Sequence, residues 1–199
     1  MTDYYDPNVR SPSISRRPGN RRSDDWIRAL LARVQICRVA TLWGEQPFIN
    51  PTTFVYRPQT SEHITHDIVF HSNLAGRVRA NAERAEHLGT PICFEVSEMG
   101  RLLPSNDPLE LSMQYRSVIV FGTVSVLEGE AARQGLTDLS AKMFPMLRPS
   151  VEMRPISADD LARTSVYSIA VSEWSGKENW QEMADQTPDW PALPEELLQ

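Results

Sequence analysis

The feature that most constrains this chain is a series of short apolar runs that alternate with a two-residue period and stop at Gly, Pro, Asn or Asp. This pattern is typical of β-strands with one buried face, joined by turns. Six such runs with few helices between them predict a mainly β fold, a small barrel with helices packed on its outside. The predicted strands cover residues 36–43, 48–56, 67–71, 91–96, 113–127 and 165–173.

Glycine and proline positions refine this strand pattern. Residues 44–46 are typical of a tight turn, so the first two strands form a hairpin. Pro51 lies inside the second run and predicts an edge or a bulge, because proline cannot donate to a β-ladder. Gly100 and Pro104 help to predict a loop over residues 98–111.

The helices are predicted from start signals and a 3.6-residue period. Ser23 is a plausible N-cap, because two Asp residues and an amphipathic stretch follow it. Residues 76–87 and 130–144 predict two further helices, and residues 157–160 predict a short helical turn. The apolar face of the first helix consists of Trp26, Ile27, Leu30, Leu31 and Val34.

Charge divides the chain into three parts. Residues 1–22 hold five Arg against two Asp, are rich in Pro and Ser, and predict a flexible basic arm. Residues 23–180 are expected to form the folded domain, and residues 181–199 an acidic tail that hugs the surface or dangles. The net charge of −6 argues against nucleic acid as the main partner.

Other classes of protein are disfavoured by what the chain lacks. The longest apolar stretch, residues 118–121, is far too short to cross a membrane, and no signal peptide is visible, so we expect a cytoplasmic protein without a membrane partner. Cys37 and Cys93 each lie in an apolar run and are expected to be buried hydrophobes. His63 and His66 lie in a polar loop near His71, but no Cys or pair of acids completes a ligand set, so we expect no metal site.

The segment 70–79 carries the strongest chemical signal. A strand ends at His71, Ser72 follows, and a predicted helix begins near Gly76 with Arg77 and Arg79 in its first turn. A hydroxyl, helix N-terminal amides and two guanidinium groups suit a phosphate monoester. The alternative is an ordinary capped helix with solvated arginines.

A second candidate group lies near the ends of the last two strands. Arg116 enters an apolar run, and residues 173–180 are predicted to form a short loop that contains Trp174, Lys177 and Trp180. Aromatic side chains there could cover a flat heterocycle, but tryptophans at a subunit interface are an equally ordinary explanation.

In this order, the segments resemble the pyridoxamine 5′-phosphate oxidase-like flavin-binding split barrels, and within them the branch of nitroimidazole-resistance (NimA-type) proteins. The match runs from about residue 25 to residue 180. The resemblance implies a six-stranded split β-barrel that binds FMN as a homodimer. It is carried by residues 37–41 and 47–54, 70–72 with Gly76 and Arg77, 92–96, 115–118 with Gly122, and 175–177.

The resemblance also implies which residues hold two FMN molecules in the clefts between the barrels. The isoalloxazine ring would lie along the second strand, at Asn50, Pro51, Thr52 and Thr53. The ribityl chain and phosphate would lie toward His71, Ser72, Arg77 and Arg79. The other subunit would supply Arg116 or the predicted loop that holds Lys177 and Trp180.

Two hypotheses for function follow from this resemblance. The first is an FMN-dependent oxidoreductase that acts on a small organic acceptor, such as a nitro compound, with His71 as a catalytic residue that transfers a proton. The second is a non-catalytic flavin- or haem-binding protein, with His71 only satisfying a backbone group. Val78 stands where the family commonly has a lysine, so FMN, a deazaflavin and haem stay open as ligands. A true pyridoxamine phosphate oxidase is disfavoured, because the chain ends in acids rather than in an arginine-rich substrate clamp.

Overall fold

The computed structural model describes residues 17–59, 66–83 and 90–198. The strands are β1 (Arg21–Arg22), β2 (Ile36–Trp43), β3 (Gln46–Arg57), β4 (Asp67–Asn73), β5 (Thr90–Leu103), β6 (Ser112–Leu127) and β7 (Thr164–Asn179). The α-helices are α1 (Asp24–Arg33), α2 (Arg77–Glu83), α3 (Gly129–Met143) and α4 (Ala158–Leu161). Short 3₁₀ turns cover Pro18–Asn20 and Glu195–Leu197.

Six long strands form a closed antiparallel ring. Their order is β7-β4-β3-β2-β5-β6, and β6 pairs back onto β7 along almost its whole length. The two residues of β1 add to the outside of β7, opposite Gly176 and Lys177. The predicted six-stranded barrel is therefore confirmed.

The barrel opens between β3 and β4. These strands pair only from Phe54 to Arg57 on β3, opposite Phe70 to Asp67 on β4. Residues 46–53 of β3 pair with β2 alone, so the prediction that Pro51 lies at an edge is confirmed. At the opening, Thr52 Oγ1 donates to the His71 carbonyl at 3.3 Å.

Strand β5 is longer than predicted, and the loop expected over residues 98–111 is wrong in its first part. The β5–β6 pairing continues through Met99 and Leu102, with a register shift between them. Glycine fits at position 100 within this irregular stretch, because β5 and the Gln114 side chain approach closely there: a Cβ would lie only 2.6 Å from Gln114 Oε1. Cross-strand pairing thus outweighs the local turn preference of glycine.

Strand β7 is also longer than predicted, so the expected loop over residues 173–180 is wrong. A register shift beside Gly122 skips one residue of β7, and the strand then continues to Asn179. Trp174 and Lys177 are strand residues, and Trp180 follows directly after the strand. A β-bulge re-aims a strand without ending it, and the sequence pattern carries no signal for this.

The helices pack against the barrel, α1 and α2 on its core cluster and α3 on a second cluster with Val69 and Val166. Ser23 caps α1 as predicted, accepting from the Trp26 amide, and α1 buries Ile27, Leu30 and Leu31 against the barrel core. The short helical turn predicted for residues 157–160 is confirmed as α4, and Ser157 forms a capping box at its start. Among the described residues, no helix has the length and apolarity needed to cross a membrane.

Lys142 of α3 joins two helices. Its ammonium donates to the Leu31 and Val34 carbonyls at 2.9 and 2.7 Å, and it lies 3.6 Å from the centroid of the Phe54 ring. Burial lowers the pKa of Lys142 to about 8. The Lys142 ammonium therefore donates to carbonyls at the C-terminal end of α1, which have no hydrogen-bond donor within the helix.

The described part of the C-terminal tail lies on the end of the β5–β6 pair. Asn106, in the connection between these strands, donates to the Thr187 carbonyl at 3.0 Å and accepts from the Thr187 amide at 2.8 Å. Ser105 donates to the Asp185 carbonyl at 2.6 Å. Of the two predicted arrangements of the tail, the structure shows the one against the surface.

Candidate functional site

The free edge of β3 provides backbone groups at the barrel opening. Asn50, Pro51, Thr52 and Thr53 pair with β2 on one side, and β4 does not reach them on the other. In an antiparallel edge strand, alternate N–H and C=O groups point away from the paired neighbour. This edge can therefore hydrogen-bond the polar rim of a flat heterocycle, except at the N–H that Pro51 lacks.

The end of β4 brings Ser72 beside a buried tyrosine. Ser72 Oγ donates to the Asn73 carbonyl at 3.0 Å and lies 2.9 Å from the Tyr167 hydroxyl. Because the serine proton is used on Asn73, the phenol donates to Ser72 Oγ. Tyr167 is fully buried and stacks on Phe70 with ring centroids 4.9 Å apart. Ser72 is thus held in place by a residue that the sequence analysis did not single out.

The sequence gives only a weak indication that Tyr167 belongs to the site. It stands as the one hydroxyl-bearing aromatic in the apolar run of the last strand. A buried tyrosine hydroxyl needs a hydrogen-bond partner, which makes such a residue worth locating. Its partner, Ser72, lies 95 positions away along the chain and could not be identified from spacing.

A short turn leads from Ser72 into α2. Asn73 Oδ1 accepts from the Ala75 amide at 3.1 Å, and the Ala80 amide donates to the Gly76 carbonyl at 3.1 Å. The helix that follows has 7 described residues. The side chains of Arg77 and Arg79 carry the formal positive charge of this site.

The two arginines of α2 have different surroundings. The Arg77 guanidinium lies 4.4 Å from the centroid of the Phe48 ring on β3, and in the described part of the chain it has no carboxylate partner. Arg79 donates to Glu83 and to Ser165 Oγ, the latter at 3.3 Å. Arg77 is therefore the guanidinium that is available to an anion at the opening.

His71 lies at the same opening, one residue before Ser72. Neighbouring protein partly desolvates its ring and lowers its pKa, although much of the residue is still accessible to solvent. The ring is therefore mostly neutral at pH 7. Its backbone is occupied, since the carbonyl accepts from Thr52.

Arg116 and Trp180 form a second group with acidic partners. The Arg116 guanidinium lies 3.7 Å from the centroid of the Trp180 ring and donates to Glu178. Glu178 also accepts from Arg22 of β1 at 3.1 Å, and Glu98 lies 3.7 Å from Arg116. Burial of the Glu178 carboxyl acts to raise its pKa, but the hydrogen bonds from Arg116 and Arg22 outweigh burial, so the pKa of Glu178 is lowered.

Lys177 belongs to the same end of the molecule. It lies in β7 opposite Arg21 on one side and Ser117 on the other. Lys177 is thus next to the Arg116–Glu178 pair in the sheet, but successive side chains of a strand point to opposite faces, so the Lys177 side chain lies on the other face from Arg116.

The two predicted groups do not meet within one chain. His71 lies opposite Val166 of β7, and Arg116 lies opposite Glu178 of the same strand. Twelve residues of strand separate these positions, which is roughly 40 Å along the strand. A ligand held by both groups would need Arg116 and Trp180 from another copy of the chain.

The other side chains singled out in the sequence fall outside this opening. His66 accepts from the Tyr56 hydroxyl at 2.8 Å, and His63 lies outside the described residues. Cys37 is buried as expected, and burial raises its pKa to about 12, while Cys93 is only half-buried. In the described ranges, no three His, Cys, Asp or Glu side chains are grouped as metal ligands.

Comparison with known proteins identifies relatives of this chain. The family model described as pyridoxamine 5′-phosphate oxidase matches residues 23–178. A search of the curated proteins gave no significant match.

Solved structures share the fold. A FAD- and haem-binding protein from Mycobacterium smegmatis is 24% identical, with a TM-score of 0.71 over 84% of this chain and 76% of that one. A flavocytochrome from Azotobacter vinelandii is 20% identical, with a TM-score of 0.73 over 93% of this chain and 87% of that one. A proposed 5-nitroimidazole antibiotic resistance protein from Bacteroides thetaiotaomicron is 18% identical, with a TM-score of 0.60 over 79% of this chain and 86% of that one.

Proposed function

Because this chain belongs to the pyridoxamine 5′-phosphate oxidase family, we propose that it is a flavin-binding oxidoreductase that uses FMN to transfer hydride or electrons to a small organic acceptor. The proposal is supported by the split-barrel fold, which the chain shares with flavin-binding proteins of known structure. We propose that the enzyme acts in the cytoplasm.

One observation carries the proposal for this chain itself. The Arg77 guanidinium stacks on Phe48 at the barrel opening and has no carboxylate partner in the described part of the chain. An arginine with its donors free is suited to a phosphate monoester, which it can bind through two parallel hydrogen bonds. The phosphate is the group that distinguishes FMN from riboflavin.

The residues around the opening fit the rest of such a ligand. The free edge of β3 from Asn50 to Thr53 would bind the rim of the ring, and Ser72 and His71 would lie beside the ribityl chain. Arg79 would add positive charge behind Arg77, although Glu83 and Ser165 already hold it. When bound, the flavin supplies hydride or electron transfer, which no side chain can provide.

The acceptor that we propose is a small organic molecule of the nitro class. This choice is supported by the fold shared with the proposed 5-nitroimidazole resistance protein. Oxidation of pyridoxamine phosphate is disfavoured, since the last 22 residues contain six acids and no Lys or Arg to bind a second phosphate.

The absorption spectrum of the purified protein tests the cofactor. We expect flavin bands, with FMN rather than FAD released on heat denaturation. Bleaching of these bands under anaerobic NADPH, followed by reoxidation with a nitroimidazole, would support turnover. A Soret band without flavin would instead indicate a haem-binding protein, and retained flavin bands that no donor bleaches would indicate a binding protein without catalysis.

We also propose that two copies of the chain form the complete site. Within one chain His71 and Arg116 are roughly 40 Å apart along β7, so a dimer would let each copy contribute a different half. Light scattering at micromolar concentration is expected to give twice the chain mass of 22.6 kDa. A single-chain mass under these conditions would contradict the shared site.

For His71 we propose transfer of a proton to the substrate. Since desolvation lowers the pKa of His71 from its ordinary value, a more acidic solution is needed to populate the acid form of the ring. Turnover should therefore rise as the pH falls through the lowered pKa, and the variant His71→Gln should lose this rise while keeping its flavin. Identical pH profiles at equal flavin content would show that His71 is structural.

A further inference from the structure

A cluster of aromatic side chains lies outside the proposed flavin site. Tyr56 of β3, His66 directly before β4 and Trp174 of β7 pack together, with ring centroids 5.5 to 6.0 Å apart in each pair. Asp24, the first residue of α1, accepts from Trp174 Nε1 at 3.0 Å. These four residues are called the aromatic cluster below. All three rings are half-buried, so they are close to solvent but held against the barrel.

The hydrogen bonds of His66 define its protonation. The Gln59 amide donates to His66 Nδ1 at 3.2 Å, and because an amide N–H can only donate, Nδ1 carries no proton. The Tyr56 hydroxyl lies 2.8 Å from the same nitrogen, so it is the donor of that hydrogen bond. The Tyr56 proton therefore points at the basic nitrogen of an imidazole ring, which can take it up.

The other tyrosines in the described ranges have no base at the hydroxyl. Tyr115 accepts from Asn20 Nδ2 at 3.0 Å, and Tyr167 donates to the Ser72 hydroxyl. Neither a carboxamide nor a serine hydroxyl is a base at neutral pH. Within these ranges, Tyr56 is therefore the tyrosine whose proton can leave together with an electron.

Burial keeps the proton on the resting Tyr56 side chain. Desolvation raises the pKa of the Tyr56 hydroxyl, although a hydrogen bond from Arg28 acts in the opposite direction. The phenol is consequently protonated at neutral pH. Oxidation to a neutral radical requires that this proton leaves, and His66 Nδ1 is the acceptor in place for it.

Trp174 has an acceptor for its own proton. Its indole N–H donates to an Asp24 carboxylate oxygen, and the Arg28 guanidinium lies 5.5 Å from the ring centroid. The cation opposes positive charge on the indole ring, whereas the carboxylate can take the N–H proton. Loss of an electron from Trp174 would therefore be accompanied by proton transfer to Asp24, which leaves a neutral indolyl radical.

We propose that the aromatic cluster is a redox site that reduces one-electron oxidants of the radical class, such as carbonate or peroxyl radicals, and leaves the radical on Tyr56. In the first step the oxidant takes one electron from Trp174, and the indole proton goes to Asp24. In the second step one electron passes from Tyr56 to Trp174, and the Tyr56 hydroxyl proton goes to His66 Nδ1. Asp24 then returns its proton to the indole nitrogen.

The net change is the transfer of one electron from Tyr56 to the oxidant and of one proton from Tyr56 to His66. Trp174 and Asp24 end as they began. The inference does not depend on the proposed flavin site, because it uses none of the residues assigned to that site.

Pulse radiolysis of the full chain in azide solution tests the proposal. The azidyl radicals formed there are one-electron oxidants that react with tryptophan faster than with protonated tyrosine. We expect the tryptophan-radical absorption to decay as the tyrosyl absorption rises, in a first-order phase whose rate constant is independent of protein concentration. This phase should be absent in Tyr56→Phe. In His66→Gln it should slow about 100-fold or more, the typical contribution of a positioned base to a proton transfer.

Further variants locate the step. Trp174→Phe should remove the phase, as Tyr56→Phe does. Tyr115→Phe removes a tyrosine without a base, and Trp190→Phe removes a tryptophan that is 68% exposed, so both should leave the rate constant unchanged. In His66→Ala, added imidazole should restore part of the rate, which a purely structural role of His66 would not allow. Circular dichroism would confirm that each variant is folded.

Several results would overturn the proposal. They are a wild type without an intramolecular phase, an unchanged phase in Tyr56→Phe, an unchanged rate constant in His66→Gln, and loss of the phase in Tyr115→Phe. The wild type also offers a measurement that needs no variant. Because the second step moves the Tyr56 proton, it should be slower in heavy water, and equal rate constants in both solvents would contradict it.

Discussion

Replacing Arg77 with alanine is expected to weaken FMN binding by about 2–4 kcal/mol, because a charge-assisted pair with the phosphate is lost at a partly enclosed site. This corresponds to an increase in Kd of roughly 30- to 900-fold. Riboflavin, which lacks the phosphate, should lose much less. Fluorescence titration of the apoprotein with both ligands measures the difference.

The comparison between ligands separates phosphate binding from stacking. Arg77 also lies on the Phe48 ring, so a purely structural effect would weaken FMN and riboflavin equally. Arg148→Ala is the matched control, since it removes an exposed arginine that is paired with Glu152. Equal losses for both ligands in Arg77→Ala would refute phosphate recognition by this residue.

Replacing Asp67 with alanine is expected to lower the free energy of unfolding by about 3–5 kcal/mol. Asp67 and Arg57 are cross-strand neighbours of β4 and β3, and their side chains are only 9% and 14% exposed. Arg57 Nε donates to Asp67 Oδ1 at 2.9 Å, and Ser168 Oγ donates to Asp67 Oδ2 at 2.7 Å. Among the described residues, the variant would leave the largely buried Arg57 guanidinium with Asp138, at 3.6 Å, as its one charged partner.

Urea unfolding followed by circular dichroism measures this loss. Asp25→Ala provides the control, because Asp25 is 95% exposed in its pair with Arg28 and should contribute less than about 1 kcal/mol. A loss below about 1 kcal/mol in Asp67→Ala would mean that Asp138 replaces the missing carboxylate. The pair lies at the end of the β3–β4 ladder that is farther from the barrel opening, three positions beyond Phe54 and Phe70, the last pair before the opening.

Acid should destabilise the other end of the barrel through its ion pairs. The hydrogen bond from Arg33 is the main cause that lowers the pKa of Glu98, and Arg116 adds to it. A carboxyl group whose folded pKa is lowered contributes stability above its unfolded pKa, near 4.5. That contribution is lost as the pH falls below this value through the folded pKa.

Local pattern was sufficient for most of the fold. The alternation of residues 113–127 predicted β6 to within one residue, because one face of that strand is buried and the other is not. Ser23 and Ser157 identified the starts of α1 and α4, since a side-chain cap acts on amides two or three residues away. Pro51 predicted a free strand edge, because proline has no N–H to donate to a neighbouring strand.

The candidate site could be predicted in part. Segment 70–79 pointed to an anion at a strand end, and the structure places Arg77 at the barrel opening with His71 and Ser72 nearby. The sequence of this segment could not show that Tyr167 holds Ser72 or that Glu83 and Ser165 hold Arg79. Except for Arg79 and Glu83, these partners are distant along the chain, and sequence spacing carries no information about such contacts.

The sequence by itself determined the six long strands and their positions along the chain, the helix starts and the edge at Pro51, because all of these depend on residues within a few positions of one another. Only the tertiary structure decided that β5 and β7 continue beyond Gly100 and Glu173, where pairing with β6 outweighs the local turn preference. It also decided that His71 and Arg116 lie at opposite ends of β7. Closure of the ring sets those positions, and closure depends on contacts among strands far apart in the chain.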